Sequence, residues 1–592
     1  MFYQDKYLFI ISEEEKFKTA RTEVAGSYFW SFFEHILKTV LYKNSQFFDK
    51  PDNNKPFKNI IRPILNLQYR AEGFDVKDIE LFIKDSEKYF KSFLIRKYHE
   101  SWAREEEIDT FIDAMVESYV DFGGALVKKK ADGAPELVPL QRIAFCDQTD
   151  ILAGTICEKH FYSPSQLLET ATENGWDYNK AKLLVELCEL EKKESYANTG
   201  TETPSPYVAI YELHGNLPVG WLDDEDSDYE NKEYSPQVHI CGFFKMTEKK
   251  GEYKNNGITL FSAPEKKPRY KFIARDAIYG RALGMGGAEE LFQDQVWTNY
   301  AEIHKKYLMD SASKTIFQTA DQMLANKNNI NSLGNNAILV HEAGKPLTQV
   351  NTYPTSFALF DNLVNEWQAH AQQMGAASDP ILGEEPKSGV PFRLQALVTQ
   401  EAHSLHEYRK GKLATFLDEI YRDWIIPGIS KQIVGGKEFV AELDLDELQN
   451  LADSLVICET NKVLKDGILE GVNFTPEQVE SFKQTVRESF MKGDKRKFFE
   501  ILKDEMKNIP IDVKVNIAGK QKYSQLYLDK LNNVFRTIAA NPQILQVPGM
   551  AKLFNEILEA GGLSPIDFPI SSLPQPQMQS QPQMVANQMP VK

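Results

Sequence analysis

Cysteine is scarce and scattered. Cys146, Cys157, Cys188, Cys241 and Cys458 are odd in number and form no CxxC pair. That pattern is neither a disulfide framework nor a zinc site, and it fits a reducing compartment. No segment reaches the roughly 18 apolar residues of a membrane span, so no membrane is expected among the partners. The nearest stretch, Tyr28–Leu41, is broken by Glu34, His35 and Lys38 and reads as an aromatic-rich amphipathic core helix. Met1–Asp5 lacks a basic n-region, so no signal peptide is expected. A Walker A loop is missing: Gly519-Lys520 is followed by Gln521 and lacks the first glycine, which argues against an ATP-burning motor. There is no GxSxG elbow. Positive charge is also short, with 68 Lys and Arg against 85 Asp and Glu and a formal charge of −17. A tight, non-specific nucleic-acid binder carries a basic face, and none is evident. The basic spots Lys128–Lys130 and Lys492–Lys497 sit among acids and read as solvated surface.

What is present is ordinary globular composition, 42% hydrophobic and 26% charged over 592 residues, enough for roughly four units of domain size. Ser12–Asn44 reads as one helix, capped by Ser12 with Glu13–Glu15 at its positive end. Asp75–Glu100 reads as a second, with Val76, Ile79, Phe82 and Ile83 on one face. Asp109–Phe122 is a helix stopped by Gly123-Gly124. Ala125–Val127 and Leu137–Leu140 form a hairpin around Ala131-Asp132-Gly133. Thr155–Phe161 is a strand, and Ser163-Pro164 caps a helix through Thr170. Tyr207–His214 alternates as a strand ending at Gly215-Asn216, and Val238–Met246 and Gly257–Ser262 are further strands. The acidic run Asp223–Glu230 lacks the central Gly and terminal Glu of an EF-hand loop.

From Ala274 onward the pattern changes. Gly280, Gly284, Gly286 and Gly287 precede a helix over Gly287–Met309, about 35 Å long, in which Leu291, Val296, Tyr300, Ile303 and Tyr307 recur at helical spacing. A polar, Asn-rich insert follows over Ser311–Tyr353, with strand-like Lys314–Gln318 and Ala337–His341. Pro354 opens a second helix to Met374, striped by Phe360, Leu363, Val364, Trp367 and Ala371. Gly375–Pro391 is a loop rich in Gly and Pro. Phe392–Trp424 is a long helix that Pro427-Gly428 is expected to stop. Helices are expected over Asp444–Leu455, Glu459–Leu469, Thr475–Met491, Lys495–Met506, Tyr523–Asn541 and Met550–Ala560. Ile511–Ile517 is a lone alternating strand. Ser571–Lys592, rich in Gln, Pro and Met, reads as disordered or as docking only on a partner.

Two motifs invite chemistry, and neither completes it. Gly284-Met285-Gly286-Gly287-Ala288-Glu289 mimics a dinucleotide loop but ends on Glu where the last Gly belongs, so it reads as a tight turn into a helix. His403 and His406 stand three apart on a helix, not the four of a zinc-protease site, and read as a polar helix face. The ten histidines form no other cluster in the sequence, and no carboxylate pair is selected by its spacing. No catalytic residue, cofactor or metal is assigned.

The order of parts resembles the portal proteins of tailed double-stranded DNA bacteriophages. The likeness rests on the helix–Gly-Gly–hairpin of Asp109–Leu140, the phrase YVAIYELHG (Tyr207–Gly215), the run YGRALGMGGAEELFQDQVWTN (Tyr279–Asn299), and the phrase from Asp379-Pro380-Ile381-Leu382-Gly383 to Ser388-Gly389 before the long helix. It spans about residues 70 to 540. The resemblance implies an α+β, mostly helical protein. Residues 1–274 would form a wing; 275–310 and 354–374, two stem helices lining a channel; 311–353, a clip; 375–391, a tunnel loop facing DNA; 392–440, a long wing helix; 441–565, a helical crown; 566–592, a disordered tail. It also implies a ring of twelve subunits at one capsid vertex, meeting DNA, terminase, tail adaptor, major capsid and scaffolding proteins.

The acidic balance suits that reading. DNA carries one negative charge per about 1.7 Å, and a wall that bound every phosphate would stop it. Lys387 and Arg393 are the candidate basic points of the channel, Glu384 and Glu385 the repelling ones, with Ser388 beside them. Lys314, Gln318 and Lys327 are the clip candidates. A rival reading is another virion adaptor or scaffold-associated protein. A multidomain nucleic-acid enzyme is a third, and it needs converging carboxylates or a metal.

Overall fold

The computed structural model describes residues 2–48, 55–76, 79–83, 98–130, 133–199, 207–222, 233–247, 253–265, 269–313, 316–320, 342–346, 348–350, 357–377, 392–435, 475–492 and 511–515, with single positions at 322, 456, 460 and 463. Helices and antiparallel sheets mix throughout, so the fold class is α+β. No helix among the described residues is long and apolar enough to cross a membrane.

The N-terminal region departs from the single helix expected over Ser12–Asn44. Helix α1 (Phe2–Thr19) ends before a small hairpin, β1 (Thr22–Ala25) and β2 (Tyr28–Trp30), and α2 follows (Phe32–Lys43). Gly26, at φ +54°, turns the hairpin, and β-branched Thr22 and Val24 favour extended backbone over helix. Ser31, not Ser12, caps α2: its Oγ accepts from the Glu34 N–H. Phe29, Phe33 and Leu37, expected inside, are exposed.

Helix α3 (Ile61–Glu72) leads to β3 (Ile79–Ile83), where a helix had been expected. The apolar run Ile-Glu-Leu-Phe-Ile pairs antiparallel with β14 (Ile511–Val515) in register Leu81↔Val513. The C-terminal strand is therefore not alone, and its partner is some 430 residues away in the chain, beyond the reach of local patterning. Helix α4 (Ile108–Phe122) is the core of the body, with Ile112, Met115 and Tyr119 buried. Each such side chain contributes roughly 1.5–3 kcal/mol. Gly123, at φ +80°, ends it as expected.

Two sheets follow. The first is three-stranded: β4 (Gly124–Lys129) lies between β5 (Pro135–Val138) and β11 (Tyr270–Ala274). The second is five-stranded, in the order β10-β9-β8-β7-β6, built from β6 (Ile143–Phe145), β7 (Ile156–Tyr162), β8 (Val208–Pro218), β9 (Tyr234–Thr247) and β10 (Tyr253–Pro264). Strand β8 runs past Gly215, which keeps it extended at φ +144° close to Thr155. Helix α5 (Pro164–Glu173) opens on a full capping box at Ser163 and Gln166, and α6 (Tyr178–Thr199) packs beside it over the sheet through Leu184 and Ala181.

Beyond β11 lies a two-helix hairpin: α7 (Phe292–Ala312), the strands β12 (Ile316–Gln318) and β13 (Thr348–Val350), and α8 (Phe357–Met374). The long helix α9 (Phe392–Ile420) does not stop at Pro427. A widened π turn over Tyr421–Ile425 leads into α10 (Ile426–Gly435). The helix continues through Pro427, and the π turn just before it widens the ladder where the proline N–H is missing. Of the helices expected after Asp444, α11 (Pro476–Lys492) is described. The other expected helices, the acidic run Asp223–Glu230, the strand Ala337–His341 and the Gln/Pro-rich tail lie outside the described residues or touch them only at single positions.

Backbone packs on backbone where β11 meets the hairpin. A Cβ on Gly284 would lie 1.5 Å from the Arg275 carbonyl oxygen. Gly411, inside α9, has nothing within 4 Å of a built Cβ. Gly284→Ala should cost about 3 kcal/mol or more, or prevent folding, while Gly411→Ala should stabilise by about 0.5–1 kcal/mol. Chemical denaturation of the two variants checks this pair.

Candidate functional site

The hairpin is the feature least explained by packing, and its helices run antiparallel. His370 Nδ1 meets Asp294 Oδ1 at 2.7 Å, Trp367 stacks on Trp297 with centroids 6.1 Å apart, and Lys305 pairs with Asp361 further out. The root is buried at Asp294, Gln295, Thr298, Asn299 and Ala301. No residue of α7 past Ala301 is buried. On α8, Val364 and Ala371 face inward and Phe360, Leu363 and Trp367 are half-buried, the stripe the sequence suggested. Among the described side chains, the rest of that helix is exposed apart from half-buried Gln372.

Buried amides clamp the root. Gln295 Nε2 donates to the Lys58 carbonyl at 2.6 Å, while Gln295 Oε1 accepts from the Ile60 N–H at 2.9 Å. Asn299 Oδ1 accepts from the Lys58 N–H at 3.1 Å. These side chains replace a strand partner for residues 58–60 and leave few polar groups of the segment unmatched.

Outside the root, aromatic rings line one face at helical spacing. Trp297, Tyr300, His304 and Tyr307 succeed one another, with Tyr300 and His304 at 4.2 Å between centroids. Tyr300 is 50% exposed and Tyr307 55%. Scattered exposed aromatics need no explanation, but a contiguous row of them marks an interaction surface.

A charged junction holds the root to the body. Glu72, the last residue of α3, has no exposed surface. Its Oε1 accepts from Arg275 Nη2 at 3.0 Å and lies 3.2 Å from His406 Nδ1 on α9. The other ring nitrogen of His406 lies 3.3 Å from the Ala376 carbonyl, just past the end of α8. Arg409 donates to Asp276 at 2.9 Å through Nε and reaches Glu290 at 3.7 Å. Burial pushes the Glu290 carboxyl above its usual range, against the pull of Arg409 and Arg275. One junction thus ties together α3, the end of β11, α9 and the turn at Gly375–Ala377. His406, expected on a polar face, is buried here.

The glycine cluster before α7 cradles no phosphate. Gly284, Gly286 and Gly287 each touch neighbouring chain where a Cβ would stand, and Arg281 grips Glu289 through two bonds of 2.8 and 2.7 Å. Among the described residues, Glu158, His160 and Glu212 place ligand atoms within 4.8 Å of one another. Lys128 Nζ already sits between the two carboxylates, 3.0 Å from Glu158 and 2.9 Å from Glu212, and fills the place of a cation. Lys128 is therefore a core residue, not the solvated one its neighbours in sequence suggested.

The channel candidates Glu384, Glu385, Lys387 and Ser388 lie outside the described residues, as do the clip candidates Lys314 and Lys327. Arg393 is the second residue of α9. Gln318 ends β12 and is exposed; its carbonyl accepts from Thr348 Oγ1 at 3.4 Å. Of these eight, Arg393 and Gln318 are the two within the described residues. Glu72, Arg275 and Arg409, absent from the sequence reading, do converge. Glu72 and Arg275 stand at element ends among other charged residues such as Arg70 and Lys271, so no local signal marked them.

Compared with known proteins, the chain matches no family model and no curated sequence.

Removing one member of a buried ionic cluster strands the others without a partner, at about 3–5 kcal/mol. Glu72→Ala should lose that much in chemical denaturation. A loss under about 1 kcal/mol would show that the junction does not hold the root.

Proposed function

We propose that this chain is a non-enzymatic portal of a tailed double-stranded DNA bacteriophage: a ring at one capsid vertex through which DNA is packaged and later ejected. The observation that carries the reading is the hairpin. Two antiparallel helices leave a buried root and bear a β-ribbon at their far end, and a long helix follows them in the chain. This is the helix–insert–helix–loop–helix order of such proteins, now with an exposed stalk in the middle.

In this reading α7 and α8 are the stem, the β12–β13 ribbon is part of the clip, and residues 375–391 are the tunnel loop. The sheets, α1 to α6 and α9 make the wing, and α11 belongs to the crown. The clip docks terminase and then the tail adaptor, while the outer body meets major capsid and scaffolding proteins. The acidic balance lets the duplex slide, with Lys387 and Arg393 as occasional contacts among Glu384, Glu385 and Ser388. The site of action is the virion vertex, and assembly takes place in the host cytoplasm.

Cyclic assembly uses one patch against a different patch on the next copy. The row Tyr300–Tyr307 offers a rigid aromatic surface of that kind at low entropy cost. Light scattering of the full chain should give a particle of about twelve copies. Tyr300→Ser with Tyr307→Ser should leave the fold intact and weaken assembly at least about tenfold, or roughly 1.4 kcal/mol. A stable monomer with nuclease activity would favour the enzyme reading. A short-lived oligomer that joins only preformed rings would favour an adaptor.

A further inference from the structure

Between the two sheets lies a buried cluster that the stalk does not use. Glu158 and His160 on β7 and Glu212 and His214 on β8 project from one face of the five-stranded sheet, with Glu158 opposite Glu212 in the register. Facing them are Lys128 on β4 and Tyr270 on β11, while Glu265, directly after β10, lies beside His214. The cluster is therefore the joint between one sheet and the other.

The hydrogen bonds of His214 bear on its protonation. His214 Nε2 lies 2.8 Å from Glu212 Oε1, and its Nδ1 lies 3.3 Å from Glu265 Oε2. A neutral imidazole has one N–H and one lone pair, and here the lone pair would point at a carboxylate. Both nitrogens must carry hydrogen. His160 Nε2 lies between Glu158 and Glu212, at 3.3 and 3.4 Å. Three carboxylates share the joint. Lys128 supplies one buried positive charge, and half-exposed Arg269 approaches Glu265 at 3.3 Å from the edge. Among the described residues, the remaining charged or titratable neighbours are Glu136, opposite Lys128 on β5, and Tyr162, two residues past His160. Tyr270 donates to Glu158. None of these described groups adds a buried positive charge beside the carboxylates, where the two histidine rings stand.

We propose that this joint is a proton-dependent latch, in which His214 and His160 hold the three carboxylates only while both rings are charged and loss of their protons releases β11 and β4 from β7 and β8. The proposal is independent of the conduit reading. Burial opposes the charged form of His160, but its contacts with Glu158 and Glu212 outweigh burial and carry it from 6.5 up to about 9. His214 is raised too: burial lowers it, and Glu212 and Glu265 more than compensate. Lys128 is raised, with Glu212 and Glu158 overcoming burial, and it stays charged throughout. A raised folded value means that the stabilisation is complete below the unfolded value near 6.5 and fades as pH climbs through about 9.

Hydrogen–deuterium exchange of the full chain, corrected for intrinsic base catalysis, reads the latch directly. Between about pH 7 and pH 10, segments of β7, β8 and β11 should lose at least about tenfold protection while α3 and α4 keep theirs. Equal loss everywhere, or none, overturns the proposal. Glu265→Gln removes the charge that holds His214 Nδ1 and should move the transition to lower pH; an unmoved midpoint also overturns it. His214→Gln, if it folds, should show reduced protection of β11 already near pH 7, and wild-type protection there would count against the latch.

Discussion

Glu72 is the constraint on which the rest of the structure depends. A carboxylate without exposed surface is tolerable only with charged partners, and Arg275, His406 and, at longer range, Arg409 supply them. Those partners come from two parts of the chain, the end of β11 and the middle of α9, and His406 also reaches the Ala376 carbonyl just past α8. The ion pair therefore specifies where the end of β11, the middle of α9 and the end of α8 must sit relative to α3. The glycines at 123, 284 and 286 serve the same end, because only bare backbone lets the Arg275 segment come close enough. With the root so defined, the hairpin can extend from the body with little burial of its own.

That division of labour separates the molecule into a body that is over-determined and a stalk that is not. The body holds apolar clusters around α4, under α1 and α2, and between α5, α6 and the larger sheet. The stalk holds one inward row and one outward row of rings. The stalk leaves Trp297, Tyr300 and Tyr307 exposed in a row, which under the proposed function would meet neighbouring copies. The buried imidazoles between the sheets act elsewhere, on the cohesion of the body, so a change there would alter the body without touching the stalk.

Much of the architecture was legible in the sequence where local signals are strong. The Gly123-Gly124 stop, the Ser163-Pro164 cap, the stripe from Phe360 to Ala371 and the two helices around the polar insert all appear as expected. Local reading failed where long-range pairing decides. Residues 79–83 look helical until β14 arrives from the far end of the chain, and His406 looks like a surface residue until Glu72 comes into view. It also failed where apolar content hid a turn, as at Gly26, and where a π turn absorbed Pro427. The proposed channel residues rest on the resemblance and on loop chemistry.

The central claim is that α7 and α8 line an axial opening in a closed ring. A cryo-electron microscopy map of the purified full chain tests it most directly. The account predicts a ring in which the Phe357–Met374 helices form the inner wall and the rows of rings at Tyr300 and Tyr307 meet neighbouring copies. A map showing monomers, or a ring with these helices on its outer rim and no central passage wide enough for a duplex, would contradict it.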